Sequence, residues 1–371
     1  MATMRKTYKY RLYPKKSQKT LLNKQLELCR WIYNESLALK KKLWEKNKVS
    51  LSLYDLNKKL TQWKIEKPEL KGVHSQVLQK VQERIDFAYK AFFRRCKSGE
   101  KPGHPRFKGK NQVNSICFKQ TGFSLDETAK LLKISKIGDI KVNYHRKVTG
   151  DIKTASIIRS PTGKYYVCFS IECEKVDLPT TGKIAGCDLG CKTLVTLSDG
   201  SKVENPKFLK QSEKRLAKHQ KRKDEAKNAK NWSVFKKKKK IVAHIHEKIL
   251  NQREDYAFQT ANRLVRKYDK LFFENLSIDS MNSFAPVNKT IRDAAWGSLV
   301  QKVKFKAENA GKEVVLVNPA FTSKTCSRCK TVHEDFGLDK EFMDCSCGNK
   351  LQRDLNAAIN ILTLGLQSCS A

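Results

Sequence analysis

Residues 183–200, KIAGCDLGCKTLVTLSDG, contain two short apolar segments on either side of a glycine turn. Short runs of β-branched and apolar residues bounded by Gly and Asp are typical of β-strands. Further along the chain come a short strand (SKVEN), a long helical stretch over 206–268, a strand (KLFFENL), a helix over 291–310, a strand (EVVLVNP), a cysteine cluster and a helix over 353–364. The predicted order over residues 183–371 is therefore β-β-β-α-β-α-β-α, which indicates an α/β sheet covered by helices.

Three carboxylates occupy particular places in this order. Asp188 ends the first apolar strand, Glu274 ends the fourth, and Asp354 opens the last helix. The order is the one expected of an RNase H-like α/β fold, in which the ends of the first and fourth strands lie side by side and the last helix packs across them. A charge at the end of a buried strand is costly unless it meets a cation.

Three carboxylates grouped in this way can hold two Mg²⁺ ions about 3.5–4 Å apart, one activating water and one stabilising the leaving 3′ oxygen. We therefore expect Asp188, Glu274 and Asp354 to be catalytic metal ligands for phosphodiester hydrolysis. Taken singly, each position also fits a structural role: a turn aspartate, a surface strand end or, for Asp354, a helix N-cap.

Four of the twelve cysteines cluster near the C-terminal end: Cys326, Cys329, Cys345 and Cys347. Two closely spaced pairs joined by a short hairpin are typical of a tetrahedral four-cysteine zinc ribbon. The second pair is C-x-C rather than C-x2-C, so a site in which His333 or Asp344 replaces one cysteine stays open. The other eight cysteines are scattered, as expected of small buried side chains in a reducing compartment.

The first half of the chain has a different pattern. Residues 4–13 alternate apolar and basic side chains and predict a strand, whereas apolar spacing over 17–46, 54–63 and 73–95 predicts three helices. The Gly-, Pro- and Lys-rich stretch 97–112 predicts a loop, and short β segments separated by Gly and Asp turns follow over 113–180. We expect a β-barrel or sandwich, with a helical domain inserted after its first strand and a linker over 178–183.

The charge of the chain points to its partners. There are 76 Lys and Arg against 37 Asp and Glu, giving a formal charge of +39 spread over nearly every segment. Such an excess favours a nucleic-acid partner, because binding releases counterions from the phosphates. The lysine-rich segment 212–240 is expected to follow a phosphate backbone, the alternative being a solvated helix face or flexible loop.

The amount and distribution of apolar residues indicate which classes of protein this chain can belong to. Hydrophobic residues make up 39% of the chain, enough for packed cores. No apolar run approaches the roughly 20 residues of a membrane helix, and the first residues lack the apolar core of a signal peptide. We therefore expect no membrane partner and a cytoplasmic bacterial protein that joins the nucleoid when bound to DNA.

Segments spread over nearly the whole chain resemble the TnpB family, the OrfB-type proteins of small insertion sequences and relatives of the type V CRISPR effectors. They are YKYRLYPKKSQ, CRWIYNESL, AYKAFFRRCK, GHPRFK, GCDLGCKTLVTLSDG, NPKFLKQSEKRLAK, FFENLSIDSM, AAWGSLVQKVKFKAENAG, VNPAFTSKTCSRC and CGNKLQRDLNAAINIL. The resemblance implies an RNA-guided DNA endonuclease with a RuvC-type domain, whose metal-binding triad matches Asp188, Glu274 and Asp354. It also implies a guide RNA transcribed from the end of the element.

The same resemblance implies a domain plan. Residues 1–14 and 113–180 would form a wedge-like β-barrel that holds the guide RNA, and 15–112 a helical recognition domain. Residues 183–325 and 349–371 would form the nuclease domain, with the zinc ribbon over 326–348 binding target nucleic acid. The double-stranded target DNA would be recognised beside a short flanking motif, and the residues implied for this are Tyr54, Ser75, Gln79, Lys119 and Gln120.

Three other functions remain open at this point. A miniature type V CRISPR effector would differ only in the DNA that surrounds its gene. A guide-dependent repressor that binds without cutting would have no need for three acids. A transposase acting without RNA would require strand joining, and the chain shows no separate recombinase motif. The sequence leaves monomer or dimer undecided.

Overall fold

The computed structural model describes residues 3–276, 293–337 and 340–370 of the chain. The chain divides into two compact units, Met1–Glu174 and Lys175–Ala371. Of the helices in the described ranges, none combines the length and apolarity that a bilayer crossing requires.

The first unit contains a near-closed, seven-stranded antiparallel β-sheet. Alternate side chains face its core, among them Tyr10 and Leu12 of the first strand, both fully buried. The strands lie in the order β2-β6-β7-β1-β5-β4-β3. Their bounds are β1 Thr3–Tyr13, β2 Ser115–Phe118, β3 Phe123–Asp126, β4 Leu131–Ile134, β5 Gly138–Asn143, β6 Asp151–Arg159 and β7 Tyr165–Glu174.

Three long helices separate β1 from β2 along the chain: α1 (Lys16–Asn47), α2 (Leu53–Glu66) and α3 (Ser75–Lys97). A short 3₁₀ helix, Pro68–Gly72, connects the last two. The start of α2 is fixed by a capping box, in which Ser52 and Asp55 satisfy each other's backbone N–H groups. The apolar stripes of these helices and the inner face of the sheet belong to one continuous hydrophobic core. No helix or strand lies between α3 and β2, where the sequence predicted a loop.

The second unit is built on a five-stranded sheet in the order β10-β9-β8-β11-β12. The central pair β8–β11 and the pair β11–β12 are parallel, and the remaining neighbours are antiparallel. The strands are β8 Ile184–Leu189, β9 Thr193–Leu197, β10 Lys202–Glu204, β11 Lys270–Glu274 and β12 Glu313–Val317.

Helices cover both faces of this sheet. The covering helices are α5 (Trp232–Lys267), α6 (Trp296–Asn309) and α7 (Arg353–Ser370), and α4 (Phe208–Asn228) packs on α5. Leu271 and Phe273 of β11 pack with α5 and α6 on one face, whereas Phe272 packs with Ile361 of α7 on the other. This alternation follows from the period of two along a strand.

Two predictions about elements need correction. The helical stretch predicted over 206–268 is two helices, because the chain turns at 229–231, where Lys230 takes a positive φ of 52°. The side chain of Asn231 then caps α5 by accepting from Val234 N–H at 3.2 Å. In the first unit, strand β3 was not predicted, because its four residues alternate too briefly to give a signal.

Candidate active site and metal centre

Asp188 and Glu274 end neighbouring parallel strands. In the register of β8 and β11, Cys187 lies opposite Phe273, so the acid that follows each of them emerges at the same carboxyl end of the sheet. Because side chains alternate along a strand, Asp188 shares a face with Gly186, and Glu274 shares a face with Phe272. This is the face that α7 covers.

Helix α7 lies unusually close to β8 because Gly186 has no side chain. A Cβ at that position would overlap the carbonyl oxygen of Ala358 and lie 2.6 Å from the backbone nitrogen of Leu362. This close approach brings the first turn of α7, with Asp354, to the ends of the strands. A Cβ built on Gly190, two residues beyond Asp188, would lie 4.0 Å from Asp354 Oδ2.

Asp188 lies within electrostatic reach of both other acids. Burial, followed by the nearby charges of Glu274 and Asp354, raises the pKa of Asp188 to about 8, and Arg353 opposes this shift. Burial also raises the pKa of Glu274, against a hydrogen bond from Thr322. All three acids are partly buried, and partly buried carboxylates that repel each other are stabilised by protons or by cations.

The three acids do not form a compact site for one ion. Within the described ranges, the cysteine quartet is the one set of three or more potential ligand atoms that all lie within 4.8 Å of one another. The carboxylate oxygens are therefore more widely spaced than the ligands of a compact one-ion site.

Three further residues of this site were missed by sequence reasoning. Thr322, buried, donates its hydroxyl to Glu274 Oε1. Trp296 Nε1 donates to the carbonyl of Gly190 at 3.1 Å, which fixes the turn after Asp188. Arg353 places its positive charge near Asp188 and donates to Gly337 O at 3.2 Å. Each acts through a contact distant in sequence, so no local pattern marks it.

The four cysteines meet at two turns. Cys326 and Cys329 flank a turn closed by hydrogen bonds between Cys326 and residues 330 and 331, and Cys345 and Cys347 lie at the tip of a hairpin formed by β13 (Phe342–Asp344) and β14 (Lys350–Gln352). The Sγ atoms of Cys329 and Cys345 lie 3.5 Å apart, and those of Cys326 and Cys347 lie 3.7 Å apart. This arrangement matches four ligands around one tetrahedral ion, so the cluster is consistent with structural zinc.

The alternative ligands lie beside the cluster and have other partners. His333 Nε2 lies 3.3 Å from Cys345 Sγ, a hydrogen-bonding contact to a ligand sulfur. Asp344 pairs with Lys350 at 3.0 Å. The C-x-C spacing is accommodated because Gly348 takes a positive φ of 78°, which lets the hairpin turn tightly after the second pair.

One thiol of the cluster is readily ionised. Hydrogen bonds from the side chain and backbone of Thr331 lower the pKa of Cys329 to about 6. Since the thiolate is the form that binds a metal, this contact favours metal binding at neutral pH.

The residues expected to contact the flanking motif lie on α2, on α3 and on the segment after β2. Tyr54, near the start of α2, is 68% exposed, and Lys58 Nζ lies 4.6 Å from the centre of its ring. Ser75, the first residue of α3, accepts from Lys64 Nζ at 3.0 Å. Gln79 is exposed one turn further along α3.

The remaining two lie just after β2. Lys119 forms an ion pair with Glu83 of α3, and Gln120 is exposed. The adjacent Thr121 N–H lies 3.4 Å from Gln76 Oε1, also on α3. The segment that carries Lys119 and Gln120 is thus attached to the helix that carries Ser75 and Gln79.

Three family models match the chain. One described as "Probable transposase" (OrfB_IS605) matches residues 167–285, one described as "Cas12f1-like, TNB domain" matches residues 296–361, and the "Helix-turn-helix domain" of OrfB_IS605 matches residues 1–48. In this structure the last of these segments forms β1 and one continuous helix, α1.

Several known proteins are similar to this chain over most of its length. A "Putative RNA-guided DNA endonuclease" of Streptomyces pristinaespiralis is 29% identical over 99% of this chain and 90% of its own. InsQ of Escherichia coli (strain K12), named in the same way, is 27% identical over 96% of this chain and 92% of its own. A cryo-EM structure of a Cas12f1–sgRNA–target DNA complex superposes with a TM-score of 0.61 at 15% identity, covering 97% of this chain and 98% of that one.

The near-closed β-sheet with its helices and the C-terminal four-cysteine TNB domain define a Cas12f-like fold. Within that class, the chain is similar to the TnpB (OrfB/IS605) family.

Proposed function

We propose that this protein is an RNA-guided DNA endonuclease that takes its guide RNA from the end of its transposon and cuts target DNA beside a short flanking motif. The observation that carries the proposal is the grouping of Asp188, Glu274 and Asp354, from distant parts of the chain, at one end of a sheet. The RNA-guided activity itself is proposed from relatives that match almost end to end and bear that name.

The donor set fits divalent cations. Carboxylate oxygens are the ligands that Mg²⁺ prefers. A cation would offset the repulsion between acids that, together with burial, raises the pKa of Asp188. Asp188, Glu274 and Asp354 would hold two Mg²⁺ ions. When bound, such ions activate water and stabilise the leaving 3′ oxygen.

The chain's own residues prepare this site. Two strand ends and one helix fix the three carboxylates, so little reorganisation accompanies binding of the scissile phosphate. The strand order β10-β9-β8-β11-β12 supports an RNase H-like, RuvC-type assignment for residues 183–325 and 349–371. The four-cysteine ribbon, 326–348, would bind target nucleic acid beside that site.

The guide RNA and target DNA are the partners that the charge of +39 favours. We assign guide-RNA binding to the wedge-like β-barrel of residues 1–14 and 113–180, and recognition to the helical domain of residues 15–112. Tyr54, Ser75, Gln79, Lys119 and Gln120 would read the flanking motif, and base pairing would read the rest of the target.

The test begins with nucleic acid that copurifies with the protein from its native host. We expect one defined RNA with a variable 3′ segment. The RNA–protein complex, supplied with Mg²⁺, should cut a DNA duplex that matches this segment and leave a mismatched duplex intact. Binding to the matched duplex without cutting would instead identify a repressor, and strand transfer by the RNA-free protein would identify a transposase.

A further inference from the structure

We infer that Thr322 is a positioning residue for the carboxylate of Glu274, an inference that rests on the proposed function. Thr322 is 4% exposed and lies in the segment that leads from β12 into the four-cysteine ribbon. Its hydroxyl donates to Glu274 Oε1. By occupying one oxygen, Thr322 determines which oxygen of Glu274 remains for a divalent cation.

The Thr322 hydroxyl has two acceptors within reach. Thr322 Oγ1 also lies 3.2 Å from the carbonyl oxygen of Pro319, a second acceptor. The Thr322 hydroxyl therefore lies between two acceptors, the Glu274 carboxylate and this carbonyl.

Thr322 is itself held by α7. Its carbonyl accepts from Asn360 Nδ2 at 2.9 Å, and the same amide donates to Thr325 O at 2.6 Å. Asn356 donates to Thr325 O and accepts from Ser327 N–H, each at 2.8 Å. Both asparagines are buried, so these hydrogen bonds are shielded from water.

The helix that positions Thr322 also carries Asp354. Through Asn360 and Thr322, Glu274 is therefore held relative to the same helix that holds Asp354. Partners that orient a ligating carboxylate commonly contribute 10- to 100-fold to metal affinity or activity. Loss of the Thr322 hydroxyl should weaken metal binding without unfolding the protein.

The test uses Mn²⁺ as a spectroscopic probe, titrated into the full-length, zinc-loaded protein with its copurified RNA. Asp188→Ala identifies the ions bound at the acid site. We expect Thr322→Val, which keeps the shape but removes the donor, to weaken Asp188-dependent Mn²⁺ binding about tenfold. The Mg²⁺ concentration that gives half-maximal cleavage should rise by a similar factor. Thr322→Ser, which keeps the hydroxyl, should stay within about twofold of the wild type.

The possible outcomes separate this inference from the proposed function. Unchanged Mn²⁺ affinity in Thr322→Val would overturn the positioning role and leave the nuclease proposal standing. A purely structural role would lower melting temperature and zinc content, and excess Mg²⁺ would not restore cleavage; this result also overturns the inference. Mn²⁺ binding that is the same in the wild type and in Asp188→Ala would overturn both the positioning role and the nuclease proposal. Thr322→Ala gives the same comparison should valine prevent folding.

Discussion

Asp188 is the residue on which both the stability and the proposed chemistry of the second unit depend. Its folded-state pKa of about 8 lies far above the ordinary value of 3.8, because it is buried beside two other acids. Between these two pH values the folded chain keeps a proton that the unfolded chain has lost. The free energy of unfolding should therefore fall as pH rises through this window.

Asp188→Asn should remove this pH dependence. In buffer without divalent cations, we expect the variant to exceed the wild type in stability at pH 8, by on the order of 2–5 kcal/mol, and to approach it near pH 4. Calorimetric melts of both proteins across this range make the comparison. Parallel stability curves would mean that Asp188 is not held protonated by its neighbours.

At the scale of single residues, the sequence identifies the three acids but not the residues that contact them. Asp188 and Glu274 stand out because a charge interrupts an apolar strand pattern, and the structure places both, with Asp354, in one group. Thr322 and Arg353 carry no such signal, because their contacts depend on how the ribbon and α7 pack. Their roles become visible only once the chain is folded.

At the scale of elements, the contact between α7 and β8 positions the acids. Gly186→Ala should force the helix away from the strand, since the added Cβ would overlap the Ala358 carbonyl. We expect a loss of roughly 2–4 kcal/mol in the stability of the second unit and a matching loss of cleavage.

Gly72→Ala is the matched control for this change. A Cβ there meets nothing within 4 Å, so the substitution should shift stability by less than about 0.5 kcal/mol. Thermal unfolding of the two variants measures both effects. Equal melting temperatures for Gly186→Ala and the wild type would show that the close packing is not required.

The four-cysteine ribbon leads us to a prediction about the zinc content of the protein. Elemental analysis should find about one zinc ion per chain, as one tetrahedral site requires. Cys347→Ser should lose the ion, because it removes one of four converging sulfurs, whereas His333→Ala should keep it. Cys96→Ser, at an exposed cysteine outside the cluster, controls for substitution itself. Retention of zinc in Cys347→Ser together with its loss in His333→Ala would assign the fourth ligand to histidine.

Elements were predictable where apolar periodicity is long. The helices α1 and α3 and the strands β1 and β8 lie within a few residues of their predicted bounds. The turn between α4 and α5 was not predictable, because Ala229, Lys230 and Asn231 interrupt a strongly basic segment without Gly or Pro. The tight hairpin at Cys345 and Cys347 could be judged only from the backbone, where Gly348 supplies the positive φ.

For the whole molecule, composition restricted the class of partner and the order of elements restricted the fold. The charge of +39 pointed to nucleic acid, and the order from residue 183 onward predicted an α/β sheet covered by helices. Sharing of one hydrophobic core between the first sheet and the helices α1 and α3 was not predictable, because it depends on contacts between residues far apart in sequence.

We propose that three carboxylates form one site that cuts DNA chosen by a bound RNA. The most direct measurement compares cleavage of a guide-matched duplex in Mg²⁺ by the RNA complexes of the wild type and Asp188→Ala. We expect the wild type to cut, and the variant to bind the same RNA and DNA with no detectable product. Cleavage at an undiminished rate by Asp188→Ala would contradict the account.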